Sequence, residues 1–340
     1  MKPPYEITNE ILRLVSEISQ KIGEINANHL YKPATELRKK NRIKTIQSSL
    51  EIEGNTLTEE HITALLENKR VIAPQKDILE VQNAIRVYDN LKQYNPLKIK
   101  DMEKAHQVLM NGLIPNAGKF RTTNVGIIKG SQIEHIAPGG GMVNGLMKDL
   151  FSYLKNNKDL TLIKSCVFHY EFEFIHPFLD GNGRMGRLWQ TLILMQQYPV
   201  FEFLPIEILI KQRQEMYYAK LSESDKKGHS TPFVEFMLNI ILDALEVLLN
   251  SQNQTLKTKD RITIFQEKIG SKKFSRKDYL QNFKSISAPT ASRDLKWAVE
   301  QGILKKEGKT IFQVAPNCRA SEDYKNLIEE IINKINGINN

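Results

Sequence analysis

Twelve consecutive residues, His176 to Arg187, read His-Pro-Phe-Leu-Asp-Gly-Asn-Gly-Arg-Met-Gly-Arg. The His176 imidazole can take a proton at neutral pH. The Asp180 carboxylate can hold a hard divalent cation such as Mg²⁺. Gly181, Asn182 and Gly183 can turn backbone N–H groups toward an anion, and a helix beginning there adds the positive end of its dipole. Arg184 and Arg187 offer forked donors to phosphate oxygens. A base, a metal ligand, an anion nest and a phosphate clamp are the parts of a phosphate-transferring site.

Other chemistries compete for the same residues. Gly181, Gly183 and Gly186 satisfy the dinucleotide pattern G-x-G-x-x-G, which needs a strand before it and a βαβ unit around it. Here the preceding stretch carries Leu162, Ile163, Cys166, Val167, Tyr170 and Ile175 at helical spacing, and Leu188 to Gln197 is helical again. The dinucleotide reading fails on that context. His169, Glu173 and His176 fall at i, i+4 and i+7 of a helix, near one face, as metal ligands could. Cys166, one turn earlier, has apolar neighbours and fits no ligand spacing, so His169 and Glu173 read instead as residues that hydrogen-bond locally or flank the core. A plain glycine-rich turn with surface arginines is the remaining alternative. The density of His, Asp, Asn and two Arg in so short a run argues against it.

The segment resembles the signature of the Fic family, H-x-F-x-[D/E]-G-N-G-R-x-x-R, at every fixed position. The resemblance implies a mainly α fold, a Fic-type helical core with a β-hairpin flap. It also implies transfer of AMP from ATP to a Ser, Thr or Tyr hydroxyl of a protein. Carried over by position, His176 becomes the general base, Phe178 the anchor of the loop and Asp180 the Mg²⁺ ligand. Gly181, Asn182, Gly183 and Gly186 with Arg184 and Arg187 become the phosphate site. Ser48 to Asn55 taken alone is a helix end with Gly54 as its cap. Beside this signature it is similar to the family's inhibitory motif, with Ser49, Glu53 and Gly54 at the fixed positions. Glu53 would then occupy the fork of Arg187 that ought to hold the γ-phosphate. Phe120 to Pro138, with Val125, Ile127 and His135, resembles the flap that receives an extended target chain by strand addition. Tyr217 and Tyr218 resemble a pair near the adenine, although two tyrosines on an amphipathic helix are otherwise ordinary half-buried aromatics.

The elements that must hold these groups are helices for the first 115 residues. Asn9 to Ile25 carries an Ile/Leu/Val stripe at a 3.6-residue period. Further helical patterns cover about 30–52, 58–68, 76–94 and 98–113, giving an N-terminal helical region 1–115. The core is expected over 116–250. Gly118 to Pro138 is β-favouring, with Lys129-Gly130-Ser131 as a hairpin turn. Helices follow at about 143–156, 162–175, 188–197, 207–221 and 231–249. A polar linker is expected at 251–260, then three short helices and a small hairpin about Glu307-Gly308-Lys309, resembling a winged helix-turn-helix over 261–316, and finally a C-terminal helix over 317–340.

The 340 residues carry a net charge of +9, and residues 251–316 hold fourteen basic against six acidic side chains, a net +8. That asymmetry hints at an acidic partner such as DNA, with a solvated basic surface as the alternative. Thr290, Ser292, Arg293 and Lys296 are the side chains a recognition helix at 288–297 could present to phosphates or base edges. Two cysteines, Cys166 and Cys318, give no disulfide framework, so a reducing, cytoplasmic setting is expected. No apolar run approaches the ~20 residues of a membrane span, and Met1 to Asn9 lacks a signal-peptide layout.

The expected function is therefore a Mg²⁺- and ATP-dependent protein adenylyltransferase, self-inhibited through Glu53, acting on another protein or on itself. Removal of AMP, with Glu53 helping to activate water, is also compatible with the family. The alternative is a DNA-binding regulator whose core senses nucleotide. Some relatives transfer phosphate or phosphocholine; the intact Gly-Asn-Gly nest and both arginines favour attack on the α-phosphate of ATP. No membrane partner is expected, and an oligomer is compatible with the sequence.

Overall fold

The structure, a computed structural model, describes residues 2–27, 35–129, 132–250, 257–270, 272–283 and 286–305. The chain divides into two compact units, Met1–Leu256 and Lys257–Asn340. The first runs α1 (Asn9–Ala27), α2 (Thr35–Ile52), α3 (Glu59–Leu66), α4 (Gln75–Asp89), α5 (Ile99–Leu109), β1 (Gly126–Lys129), β2 (Gln132–Ile136), α6 (Val143–Asn156), α7 (Thr161–Ile175), α8 (Asn182–Met195), α9 (Ile206–Gln212), α10 (Gln214–Lys227) and α11 (Thr231–Asn250). The fold is mainly α.

Of the stripe read from the sequence, Ile11, Ile18, Ile22 and Ile25 are buried in α1, whereas Val15 is half-buried and Leu12 is exposed, its place on the buried face taken by Leu14. Ile11, Leu14, Ile18, Ile22 and Ile25 recur at three- and four-residue steps and all lie in the core, packed on α11. α7 and α8 form the centre. Both are buried nearly all round. They approach closely at Gly186, where a Cβ would meet Glu173 Oε1 at 2.6 Å and His169 Cδ2 at 2.9 Å. Trp189 seals the far side, its indole N–H donating to the Pro96 carbonyl at 3.0 Å.

Two boundaries differ from the sequence expectation for reasons that matter at the site. The helix expected at 188–197 begins earlier, at Asn182, because Gly181 takes φ +82° and lets the chain turn directly into it. Arg184 and Arg187 therefore ride on a helix, one turn apart. The single helix expected at 207–221 is two, broken at Arg213, whose guanidinium pairs with Asp243 of α11 at 2.6 Å. The break lets Gln214 donate to the Ile52 carbonyl at the end of α2 (3.1 Å).

β1 and β2 pair antiparallel in the register Gly126↔Ile136, Ile127↔His135, Ile128↔Ile133 and Lys129↔Gln132, with an irregularity between Ile127 and Ile128. The expected turn residues Gly130 and Ser131 lie outside the described residues, as do 28–34 of the helix expected at 30–52.

The second unit holds α12 (Thr258–Ile269), α13 (Arg276–Asn282) and α14 (Ala288–Glu300). α12 starts inside the stretch expected to be linker. Ser275 and Asp278 form a reciprocal capping box at α13, and Ser287 caps α14 through the Thr290 N–H. Phe265 packs edge-on against Phe274 and Tyr279. The expected hairpin about residue 308 and the helix at 317–340 lie outside the described residues.

Candidate active site

α7 ends at Ile175, and His176 takes a left-handed conformation, φ +48° and ψ +61°, unusual for a residue with a Cβ. The chain thus turns sharply out of α7 with the imidazole at the bend. From there to Gly181 the loop is pinned by its own residues. Phe178 is fully buried, and Asn182 closes a ring with it, accepting from the Phe178 N–H and donating to the Phe178 carbonyl, both at 2.9 Å. Asn182 is occupied in bracing the loop.

His106 on α5 holds the loop from below. Its ring stacks on Phe178 at 3.6 Å with planes 4° apart. The Gly118 N–H donates to Nδ1 at 2.8 Å, so the proton sits on Nε2, which donates to the Asp180 carbonyl at 2.9 Å. Burial pushes its pKa down to about 4, and the ring stays neutral.

Asp180 stands at the rim with its side chain 53% exposed. Its Oδ1 accepts from the Gly181 N–H (2.6 Å) and from Arg184 (3.1 Å). One half-exposed carboxylate fits Mg²⁺, which prefers one or two carboxylates together with substrate phosphates. Asp180 is the residue that would hold it. The metal grouping His169, Glu173 and His176 has no such geometry, and no cluster of three metal-ligating side chains exists among the described residues. His169 is instead fully buried, donating from Nδ1 to Gln190 Oε1 (2.6 Å) and accepting at Nε2 from the Tyr217 hydroxyl (3.0 Å). Burial pushes its pKa down to about 3.

Arg184 and Arg187 are buried on α8. Arg184 donates to Glu80 of α4 at 3.2 Å as well as to Asp180. Glu80 in turn accepts from Asn55 at 2.8 Å. Arg187 reaches the end of α2: Nε to Ser49 Oγ (3.2 Å), Nη2 to the Ser49 carbonyl (2.9 Å) and Nη2 to Glu53 Oε1 (2.8 Å). Burial alone would lower the Arg187 pKa, but the negative charge of Glu53 overrides it and the guanidinium is held more firmly protonated than usual. Gly54 (φ +91°) ends α2 and lets the chain turn away just after Glu53. The Glu53 carboxylate lies directly over Gly183, where a Cβ would collide with Oε1. Arg187 Nη1 is buried with no hydrogen-bond partner among the described residues.

Glu53, Gly183 and Arg187 line a cavity of about 190 Å³ together with His176, Glu173, Phe174, Tyr217, Tyr218, Leu221, Ser222 and Asp225. Base, anion cradle and guanidinium therefore open on one space, with two tyrosines in its wall. Tyr217 is buried and its phenol is kept protonated by that burial and by nearby Glu173. Gly186 faces α7 rather than the cavity, so its part is helix packing and not phosphate contact. Val125 is half-buried beside β1, while Ile127 and His135 pair across the hairpin backbone. Sequence reasoning missed His106, Glu80, Asn55 and Gln190, whose roles arise only from partners distant in the chain.

The Fic/DOC family profile matches residues 96–194, which span the loop, α7 and α8. A solved Fic family protein from Desulfovibrio desulfuricans is 40% identical and superposes with a TM-score of 0.72, covering 94% of this chain and 96% of that one. The chain belongs to the Fic family. It is also 28% identical over 259 residues to the protein adenylyltransferase Fic of Nematostella vectensis, covering 72% of this chain and 57% of the relative. The protein adenylyltransferase Fic of Drosophila grimshawi is 30% identical over 249 residues, covering 70% of this chain and 49% of the relative. The chain thus spans about half the length of these curated relatives. Among the described residues no helix is long and apolar enough to cross a membrane.

Proposed function

We infer that this protein transfers AMP from ATP to a hydroxyl of a protein, its own chain included, and that Glu53 restrains the reaction. The observation that carries the reading is the Arg187–Glu53 pair, 2.8 Å apart over Gly183, at the wall of a cavity that also contains His176. His176 takes the proton of the target hydroxyl as its oxygen attacks the α-phosphorus. The bond from that phosphorus to the bridging oxygen breaks, and pyrophosphate leaves. The N–H groups at the start of α8 and the two guanidiniums stabilise the phosphates. Bound at Asp180, Mg²⁺ would neutralise phosphate charge. A carboxylate already in the Arg187 fork competes with the γ-phosphate for the same donors, so the resting site takes ATP poorly or in a non-productive pose. With Glu53 in place, the same base and carboxylate could activate water for the reverse step, removal of AMP.

Incubation of the Glu53→Gly protein with ATP and Mg²⁺, read by intact mass, is expected to show added AMP. Adding His176→Ala to that variant is expected to lower the rate ~10²–10⁴-fold while ATP binding stays nearly intact. Equal transfer with and without His176 contradicts the assignment.

A second reading concerns the second unit. Arg293 and Lys296 are exposed on α14, and Arg276 at the start of α13 reaches Ser292 at 3.1 Å, the juxtaposition of two helices that a helix-turn-helix requires. Thr290 and Ser292 are half-buried on the same helix, within reach of a phosphate. DNA is the partner this basic surface suits. Binding measured at low and moderate salt should steepen in its log–log slope by roughly 0.9 for each phosphate contact, and no binding at low salt removes the reading.

A further inference from the structure

Arg121 is a cation with no role in the chemistry above, yet it is 2% exposed and spends its donors on carbonyls from two separate parts of the chain. Nε donates to the His176 carbonyl at 2.7 Å, and Nη2 donates to the Ile175 carbonyl at 3.0 Å. These are the last carbonyls of α7, left without helical partners at the negative end of its dipole. Nη1 donates to the Thr123 carbonyl at 2.7 Å, and Nη2 also donates to the Pro138 carbonyl at 2.7 Å. Thr123 and Pro138 stand on the two legs of the β1–β2 hairpin, one before it and one after. The backbone of Arg121 adds a fifth tie, its N–H donating to the Pro177 carbonyl at 2.8 Å.

The hairpin root is closed by other means as well. Asn124 Oδ1 accepts from the Gly140 N–H at 3.0 Å, and Gly140 lies so close to the Thr122 carbonyl that any side chain there would collide with it. Both legs therefore move together, and the guanidinium joins them to the bend at His176. That bend is a left-handed conformation, which is disfavoured in a residue with a Cβ. It needs external ties to persist.

We propose that Arg121 is a positioning residue that couples the pose of the hairpin to the backbone of His176. One planar fork sets both the strand edge offered to the target chain and the imidazole that meets its hydroxyl. Lysine cannot replace it, because an ammonium at the end of a flexible stem cannot satisfy four carbonyls at fixed angles. The effect on transfer rests on the reading under Proposed function; the effect on backbone protection does not.

The test uses the full chain carrying Glu53→Gly, with Arg121→Lys and Asn124→Ala added separately. Amide hydrogen exchange is followed over 122–140 and 174–186, and AMP transfer is measured in parallel. Arg121→Lys is expected to raise exchange about tenfold or more in both segments while α1 and α11 keep their protection. It should lower kcat about a hundredfold with KM for ATP changed less than about threefold, since the lost interaction sets geometry and not nucleotide binding. Asn124→Ala disturbs only the hairpin legs, and coupling through Arg121 is expected to raise exchange at 174–186 as well, by a smaller factor. If Arg121→Lys loosens the whole unit, the Asn124→Ala response at 174–186 decides alone. Exchange at 174–186 unchanged in Asn124→Ala, or raised in only one segment by Arg121→Lys, overturns the proposal. Absence of transfer in the Glu53→Gly parent would count against the adenylyltransferase reading, and the exchange data would still decide the coupling.

Discussion

Each unit of this protein buries an arginine beside a carboxylate, and the two pairs are built differently. In the second unit, Arg261 meets Asp294 through two bonds, Nε at 2.7 Å and Nη2 at 2.9 Å. Asp294 also accepts from Thr258 (2.8 Å) and from the Tyr279 hydroxyl (3.1 Å), and it is 1% exposed. Both carboxylate oxygens of Asp294 thus have two donors each. In the first unit, Arg187 meets Glu53 through one nitrogen, Nη1 has no hydrogen-bond partner among the described residues, and the Glu53 side chain is 28% exposed at a cavity wall. The first arrangement is a staple and the second a latch. A buried ion pair holds a fold when its hydrogen bonds are complete. When one donor is unmet and space lies beside it, the same chemistry leaves room for a competing anion.

The comparison can be broken or sharpened by substitution, and the largest effect belongs to the staple. Asp294→Ala leaves Arg261 buried without its counter-charge, at a cost of about 3–5 kcal/mol. The second unit should lose amide protection while the first keeps its own, and an intact second unit by hydrogen exchange would remove the distinction drawn here. Glu53→Gly should do the opposite. Competition by a partly buried carboxylate is worth on the order of 1–3 kcal/mol, so AMP transfer should rise about ten- to a hundredfold with little change in thermal midpoint.

A smaller effect concerns pH. The folded pKa of His169 is depressed to about 3 by burial, below the ordinary value of 6.5. The unfolded chain takes up this proton first, so its stabilising contribution is complete above pH 6.5 and is lost as the pH falls from there toward 3. Between pH 7.5 and 5.5 the loss is about 1 kcal/mol. Urea midpoints across that window should fall in the parent more steeply than in His169→Gln. Equal slopes would mean the ring is charged inside the fold. The smallest effect is that of Ser49→Ala, which removes the 3.2 Å bond from Arg187 Nε and leaves the Ser49 carbonyl in place. Transfer should rise only about two- to fivefold, and a gain as large as that of Glu53→Gly would shift the latch from the carboxylate to the serine.

Much of the site was legible in the chain because it is contiguous. His176 to Arg187 carry their own turn residues, and Ser49, Glu53 and Gly54 lie within one helix end. The helices with one buried face, such as α1, were legible for the same local reason. The start of α8 is not legible from periodicity because Gly181 allows a turn directly into the helix that a periodicity argument cannot see. His106, Glu80 and Arg121 were illegible for a different reason. Each is an ordinary polar residue in its own segment, and its meaning comes from Asp180, Arg184 or the end of α7, more than fifty residues away in the chain. Gly186 shows the converse, a residue whose place in a pattern suggests phosphate and whose neighbours make it a packing contact.

The central claim is that Glu53 and a nucleotide phosphate compete for Arg187. It is tested most directly by initial rates of AMP incorporation from α-labelled ATP and Mg²⁺ in four proteins: the parent, Glu53→Gly, Arg187→Ala and the double variant. The account predicts that Glu53→Gly is about ten- to a hundredfold faster than the parent and that Arg187→Ala abolishes most of that gain in the double variant. A double variant as fast as Glu53→Gly would contradict it, because the carboxylate would then restrain the enzyme through some group other than Arg187.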